Sequence, residues 1–434
     1  MAEVNLAEDM SLLPCTGAEQ SLFVAMPADV NDHFTSTFGN VSKIIKQSFF
    51  ALFICAAADI FAGFSIARLS HLLIVYPGLI ILIPSVINMR GNIFGSFGAR
   101  LGTSFHTGEI SSPLGTSQAL RQQVLGAATQ TLVMSLVLAL VVKGFGLATG
   151  LVTISIYDLI LVSVISGILS GAVLLVFTLS MVIQSFKKGW DPDNISVPLI
   201  TAAGDIITIP ILFGSAIFVS GLGDTLTKAV SFLLIMFSTA ATVYGLGSGR
   251  IILTKIIRQS FPILVLSAFL STIAGVFMGM TEEMLVTFSA VLLLIPVFNA
   301  EGGNLGGILS SQLTSAYHLG LIQMGRIPDK RTKTNFQCIL LLSLLIFPIL
   351  GLLAYAVSRA FSMNSLGFNQ LLFICLVAGL FTTLLAILVT YYSAYFFVKI
   401  GVDPDNVTIP LITSVMDVLG TASLILVTMA VVNA

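Results

Sequence analysis

Two aspartates set inside apolar runs are the residues of this chain best placed to do chemistry. Asp205 ends the stretch DPDNISVPLITAAGD (191–205). Asp417 ends its near copy, DPDNVTIPLITSVMD (403–417), with nine of fifteen positions identical at a spacing of 212. Counted from a helix start near Asn194, Asp205 lies roughly 15 Å deep, close to the midplane of an apolar core about 30 Å thick. An ionised side chain there costs at least about 2.5–3.5 kcal/mol on insertion scales. A chain that keeps two at matched depth must set them in water or against a cation. Thr201 and Thr208 stand at i−4 and i+3 from Asp205, and Thr413 and Thr421 at i−4 and i+4 from Asp417. Each helix therefore carries a carboxylate-and-hydroxyl face.

A second oxygen-rich feature is also written twice, as PSVINMRGN (84–92) and PVFNAEGGN (296–304). A proline followed by Gly91-Asn92 or Gly303-Asn304 predicts a break in an apolar helix. Freed backbone carbonyls are tolerated at such depth only against protein or a water-filled cavity. Carbonyls, the amides of Asn88, Asn92 and Asn304, and the two carboxylates are hard oxygen ligands, suited to Mg²⁺, Ca²⁺ or Mn²⁺ rather than to soft metals. Small residues follow each break (Gly95, Gly98, Ala99 and Gly102; Gly306, Gly307, Ser310 and Ser311), and these favour close helix packing. The breaks differ in charge. Arg90 stands where the second copy has Gly302, with Glu301 immediately before it. The two are expected to reach the path and pair across it as a gate; the competing reading has Arg90 snorkelling to the cytoplasmic interface. Asp191, Asp193, Asp403 and Asp405 read as helix caps that also attract cations at a cytoplasmic mouth.

The elements that must position these groups are membrane helices. Of 434 residues 56% are hydrophobic and 9% are charged, with a mean hydropathy of +1.03, against roughly 25% charged in soluble domains. Spans are predicted near 45–66, 70–88, 123–145, 158–186, 198–220, 228–246, 259–280, 285–300, 336–358, 369–398 and 408–432. The second and eighth are expected to continue to about 106 and 318. The alternating strands of a membrane barrel are absent from the pattern. Four cysteines without CxxC spacing argue against a disulfide framework or a zinc site. The net charge of −1 identifies no partner. No cofactor, nucleic acid or obligate protein partner is expected, only the bilayer and a cation. Residues 1–42 hold six acidic residues and no basic one. They read as a largely disordered cytoplasmic tail without a cleavable signal peptide.

The spacing of 212 holds from residue 44 to 205: IIKQSF (44–49) matches IIRQSF (256–261), Gly63 matches Gly275, and Pro84 matches Pro296. A fixed period means two structural copies, here 43–222 and 256–434, with a linker at 223–255. Five spans per copy is odd, so the extra span at 228–246 restores orientation. The copies are then parallel, related by a pseudo-two-fold axis along the membrane normal, and the chain is a pseudo-dimer whose path needs no second subunit. Fifteen of the 19 Lys and Arg fall on the N-terminal side and four on the other. This predicts a cytoplasmic N-terminus and an external C-terminus in the cell membrane. The fold class is all-α polytopic.

The Pro…Gly-Gly-Asn break and the Pro…Thr…Asp helix, in a five-span unit, resemble the membrane domain of the MgtE magnesium channels. The doubled unit with DPDN is similar to their two-repeat relatives among the solute carriers. The likeness covers about 44–220 and 256–432. It implies a pore on the axis between the copies, hydrated Mg²⁺ held at Asp205 and Asp417, and a path lined at Gly91, Asn92, Gly303 and Asn304. It implies a divalent-cation transporter and not an enzyme, with Mg²⁺ as the transported ion. MgtE proteins carry a large cytosolic sensor that 42 residues cannot form. The alternatives are an Na⁺- or H⁺-coupled Mg²⁺ exchanger, an organic-solute carrier, and an intramembrane aspartyl protease. The last fits poorly, since Asp205 follows Ala-Ala-Gly and Asp417 follows Ser-Val-Met.

Overall fold

Backbone amides in hydrocarbon have no water to bond, so a chain this apolar must satisfy them within each segment, as helices do. In the computed structural model the described residues are 49, 52–106, 117–187, 192–247, 249–318, 321–400 and 404–433, and among them every regular element is a helix. The first repeat holds α1 (52–68), α2 (His71–Val75), α3 (Leu79–His106), α4 (Gln118–Thr149), α5 (Ile156–Lys187) and α6 (Pro192–Ser220). After α7 (Asp224–Gly247) the second repeats the order as α8 (Ile251–Met280), α9 (Glu282–Thr287), α10 (Ser289–His318), α11 (Lys330–Ala360), α12 (Phe368–Lys399) and α13 (Pro404–Val432). Ten of these are long and apolar enough to cross a membrane. The expected first span is described over a shorter stretch, as α1. The expected tail at 1–42, together with Asp191, Asp403 and the side chains of Asp193 and Asp405, lies outside the described residues.

Two expectations need correcting. The second span does not begin at 70. The short α2 ends at Val75, and the chain turns through Pro77-Gly78 before α3. Gly78 has φ +86°, and a Cβ there would meet Thr153 Cγ2 at 2.6 Å, so the turn demands glycine. Nor do the Pro…Gly-Asn motifs break their helices, for α3 and α10 run unbroken through Pro84 and Pro296 to His106 and His318. A proline removes one backbone donor and kinks the helix, but the bonds beyond it can re-form. The glycines stay helical because another helix packs on them. A Cβ at Gly91 would lie 3.0 Å from Thr201 Cγ2, and one at Gly303 would lie 3.3 Å from Thr413 Cγ2. The glycines therefore serve to bring α6 onto α3 and α13 onto α10.

Within each repeat the central helix (α3 or α10) packs against the last (α6 or α13) and against the pair between them. The first helix of each repeat instead crosses to the other. A Cβ on Gly275 of α8 would come 2.1 Å from the carbonyl oxygen of Ile81 in α3, and one on Gly63 of α1 would come 1.8 Å from that of Leu293 in α10. Positions 63 and 275, and 81 and 293, are each 212 apart, so the contact is made twice and reciprocally, as at a two-fold interface. The linker helix α7 touches α4, α5 and α8. Only 17% of its apolar stretch is buried, against 39–78% for the other nine, so it stands at the rim facing lipid.

The crossed contacts make a test. Gly63→Val or Gly275→Val places a side chain inside backbone van der Waals distance. Each is expected to destabilise by at least about 1–3 kcal/mol, the usual range for overpacking. Thermal unfolding of the detergent-purified protein reads this, with Gly144→Ala, which has nothing within 4 Å, as the near-neutral control.

Candidate functional site

Between the repeats lies a cavity of about 440 Å³, lined from α1, α3, α6, α10 and α13. Both deep aspartates line it. Asp205 and Asp417 each stand near the middle of a 29-residue helix, and the crossing of the repeats points both helices at one space. Their helix-face partners Thr201 and Thr413 line it as well, as do Gly91, Asn92, Asn88, Gly303 and Asn304. Nine of the residues singled out in the sequence line this space, among them four pairs matched at offset 212.

The two halves of the wall are chemically unlike. Around Asp417 the protein builds a neutral cage. Ser271 Oγ of α8 donates to Asp417 Oδ2 at 2.7 Å, and Asn88 Nδ2 of α3 donates to the same oxygen. Asn88 Nδ2 also reaches Ser271 Oγ at 2.6 Å, while its Oδ1 accepts from Asn92 Nδ2 at 2.9 Å. Asn92 continues to Ser267 Oγ at 2.8 Å, which Ser414 Oγ joins at 2.9 Å. The crossed helix α8 thus supplies Ser267 and Ser271 from the same repeat as Asp417, and α3 supplies the two amides from the other.

Around Asp205 the equivalent positions read Cys55 for Ser267, Asp59 for Ser271, Ala202 for Ser414 and Ala300 for Asn88. Asp59 lines the cavity, is 2% exposed, and its carboxyl group lies beside that of Asp205. Sequence reasoning missed this residue. The signal was present as an aspartate in the apolar run of the first span, but its mate is a serine and the search for matched acids passed over it.

Several expected site residues lie elsewhere. Arg90 is fully buried on the far side of α3, where its Nη2 donates to Ser135 Oγ of α4 at 2.7 Å. It neither lines the cavity nor snorkels to an interface. Glu301 is fully buried, and neither of its carboxylate oxygens has a hydrogen-bond partner. No Arg90–Glu301 pair forms, because the two hold positions one residue, about 100°, apart around equivalent helices: Arg90 matches Gly302, while Glu301 matches Met89. Thr208 is buried outside the cavity wall. Thr421 exchanges hydrogen bonds with Asn299, at 3.0 and 3.1 Å, and so fastens α13 to α10 rather than facing the space directly.

The chemistry that this wall can perform is coordination. Among the described residues no three His, Cys, Asp or Glu side chains come together to enclose an ion. A cation with six waters occupies roughly 200 Å³ at about 30 Å³ per water, and the cavity holds that.

The profile of a family described as divalent cation transporter, MgtE, matches residues 83–215 and 295–427, more than half of the chain and once per repeat. Among curated proteins the chain is similar to solute carrier family 41 member 2 of Gallus gallus, 27% identical over 376 residues covering 79% of this chain and 62% of that protein. The human member 2 is 25% identical, covering 80% and 63%, and member 3 of Rattus norvegicus is 25% identical, covering 80% and 78%. The chain thus spans somewhat under two thirds of the length of the member 2 proteins. No solved structure gives a significant match.

The cage around Asp417 is open to test. Asn88→Ala removes a donor from Asp417 and the acceptor of Asn92. It is expected to lower stability by about 1–3 kcal/mol, the range for stranding a buried polar group, read as a drop in the unfolding midpoint.

Proposed function

Because the chain belongs to the MgtE family of divalent cation transporters, we propose that it carries Mg²⁺ across the membrane through the cavity between its repeats, past Asp205 and Asp417. The single observation that supports this most is the convergence of two deep carboxylates, 212 residues apart, on one cavity of about 440 Å³. Mg²⁺ dehydrates reluctantly and is held through one or two carboxylates with several waters retained, which suits a roomy wall of acids, amides and hydroxyls better than a tight cage. Two fixed negative charges favour a 2+ ion over a 1+ ion. Asn92 and Asn304 provide oxygens for the ion's water shell, and Thr201 and Thr413 flank the aspartates one turn away.

On this reading the pore is formed by one chain, with a cytoplasmic N-terminus and an external C-terminus. An inside-negative potential then drives Mg²⁺ inward by about 4.6 kcal/mol per 100 mV for two charges, so no coupled ion is required. The two aspartates do no bond making on this reading, and the protein acts as a transporter rather than an enzyme.

Flux into proteoliposomes tests the proposal. Asp205→Asn and Asp417→Asn are each expected to reduce Mg²⁺ uptake at least tenfold with folding retained, and Mg²⁺ uptake should exceed that of Na⁺ in the wild type. Normal uptake in both variants would place the ion path elsewhere. For orientation, single cysteines introduced at Asp191 and Asp403 are expected to react with an impermeant thiol reagent from the same, cytoplasmic side. Labelling from opposite sides would overturn the parallel arrangement.

A further inference from the structure

We propose that Asp59 is a third cation-binding carboxylate, and that with Asp205 it forms the tight divalent site of the cavity while Asp417 belongs to a weaker one, a single acid among neutral donors. The inference rests on the transport reading above and concerns which half of the cavity holds the ion.

Asp59 and Asp205 come from different helices, α1 and α6. Both are nearly fully buried, at 2% and 5% exposed, both line the cavity, and their carboxyl groups lie side by side. Among the described residues the one ion pair is Lys228–Asp224, at the exposed start of α7, so no basic side chain compensates either acid. In the other half Asp417 Oδ2 receives Ser271 and Asn88. In this half the equivalent donors are replaced by Asp59 and Ala300. The protein satisfies one aspartate with neutral groups and surrounds the other with more negative charge.

A second feature points the same way. Glu301 of α10 is fully buried with both carboxylate oxygens unpartnered, and it lies within electrostatic range of Asp59 and Cys55, two residues of the cavity wall. An uncompensated buried charge is strongly destabilising, and here two acids line one side of a space that admits a hydrated ion, with a third buried behind them. A divalent cation bound through two carboxylates with its remaining positions filled by water is the ligand that balances them, and it matches how Mg²⁺ is usually held. Glu301 sits behind the wall and contributes field rather than a ligand oxygen.

The test uses the full chain in detergent with Mn²⁺ as the probe, a hard cation visible by electron paramagnetic resonance. Asp59→Ser writes in the residue that the other repeat carries, and Asp59→Asn removes the charge while keeping the shape. Both are expected to weaken the tightest Mn²⁺ site at least tenfold. Both should also abolish most of the Mn²⁺-induced rise in the unfolding midpoint, without lowering the midpoint of the metal-free protein. The linkage is direct, since a ligand stabilises only the state that binds it. A purely structural Asp59 would give the reverse: a lower metal-free midpoint with the Mn²⁺ shift intact. That result overturns the proposal, as does unchanged Mn²⁺ affinity. Should neither variant fold, Ser271→Asp carries the test. It is expected to create a second tight Mn²⁺ site beside Asp417, and no gain counts against the inference. The two claims separate cleanly. If Asp205→Asn and Asp417→Asn lose flux while the Asp59 variants bind and transport as wild type, the transport reading stands and this inference fails. If all of them transport normally, the transport reading fails first.

Discussion

A carboxylate in the middle of an apolar slab has to be compensated locally, and the rest of this structure follows from how that is done. Asp417 is compensated by hydroxyl and amide donors from two other helices. Those donors can arrive only because the first helix of each repeat crosses to the other repeat, so that α8 lies between α3 and α13. The crossing in turn requires backbone-to-backbone approach, and Gly63 and Gly275 allow it. One electrostatic requirement therefore reaches back through the helix order to two residues that carry no chemistry themselves.

Packing in lipid obeys different rules from packing in water. Lipid tails are as apolar as leucine, so burial of leucine against leucine brings little, and helices associate through close van der Waals fit and interhelical hydrogen bonds. The glycines of α3 and α10 provide the fit, drawing α6 and α13 in until Ile200 and Ile412 lie over Gly98 and Gly306. One connected set of interhelical hydrogen bonds, the Asn88–Asn92–Ser267–Ser414 chain, lies at the cavity. The cavity wall is thus also a place where polar contacts hold the two repeats together, so a change at Asn88 acts on stability as well as on the wall.

A homodimer must present identical residues on both sides of its axis; a chain that contains both copies need not. Here the backbone keeps the two-fold arrangement while the side chains depart from it, with Asp59 opposite Ser271, Cys55 opposite Ser267 and Ala300 opposite Asn88. These departures at the cavity leave the glycine pairs Gly63/Gly275 and Gly91/Gly303 in place. On the proposed reading this gives an ion two unequal stations at similar depth, one with two acids and one with a single acid among neutral donors. Binding strong enough to select and weak enough to release is what such a pair provides.

Periodicity and composition determined the class of this protein without coordinates. Hydrocarbon solvent demands helices of a set length, and a fixed spacing of 212 demands two copies of one unit, so the all-α two-repeat architecture and the pair Asp205 and Asp417 were legible in the sequence. Helix continuity was not, because proline and glycine signal a break only when no neighbour holds the chain, and α6 and α13 do hold α3 and α10. Direction around a helix was not legible either: Arg90 and Glu301 are close to the motif in sequence, but a shift of one residue, about 100° around the axis, turns each away from the cavity. The partner of Asp205 was the hardest to foresee. Asp59 lies 146 residues earlier on a helix that crosses between repeats, and only tertiary packing, which brings α1 against α6 and the cavity, places two acids side by side that no spacing rule connects.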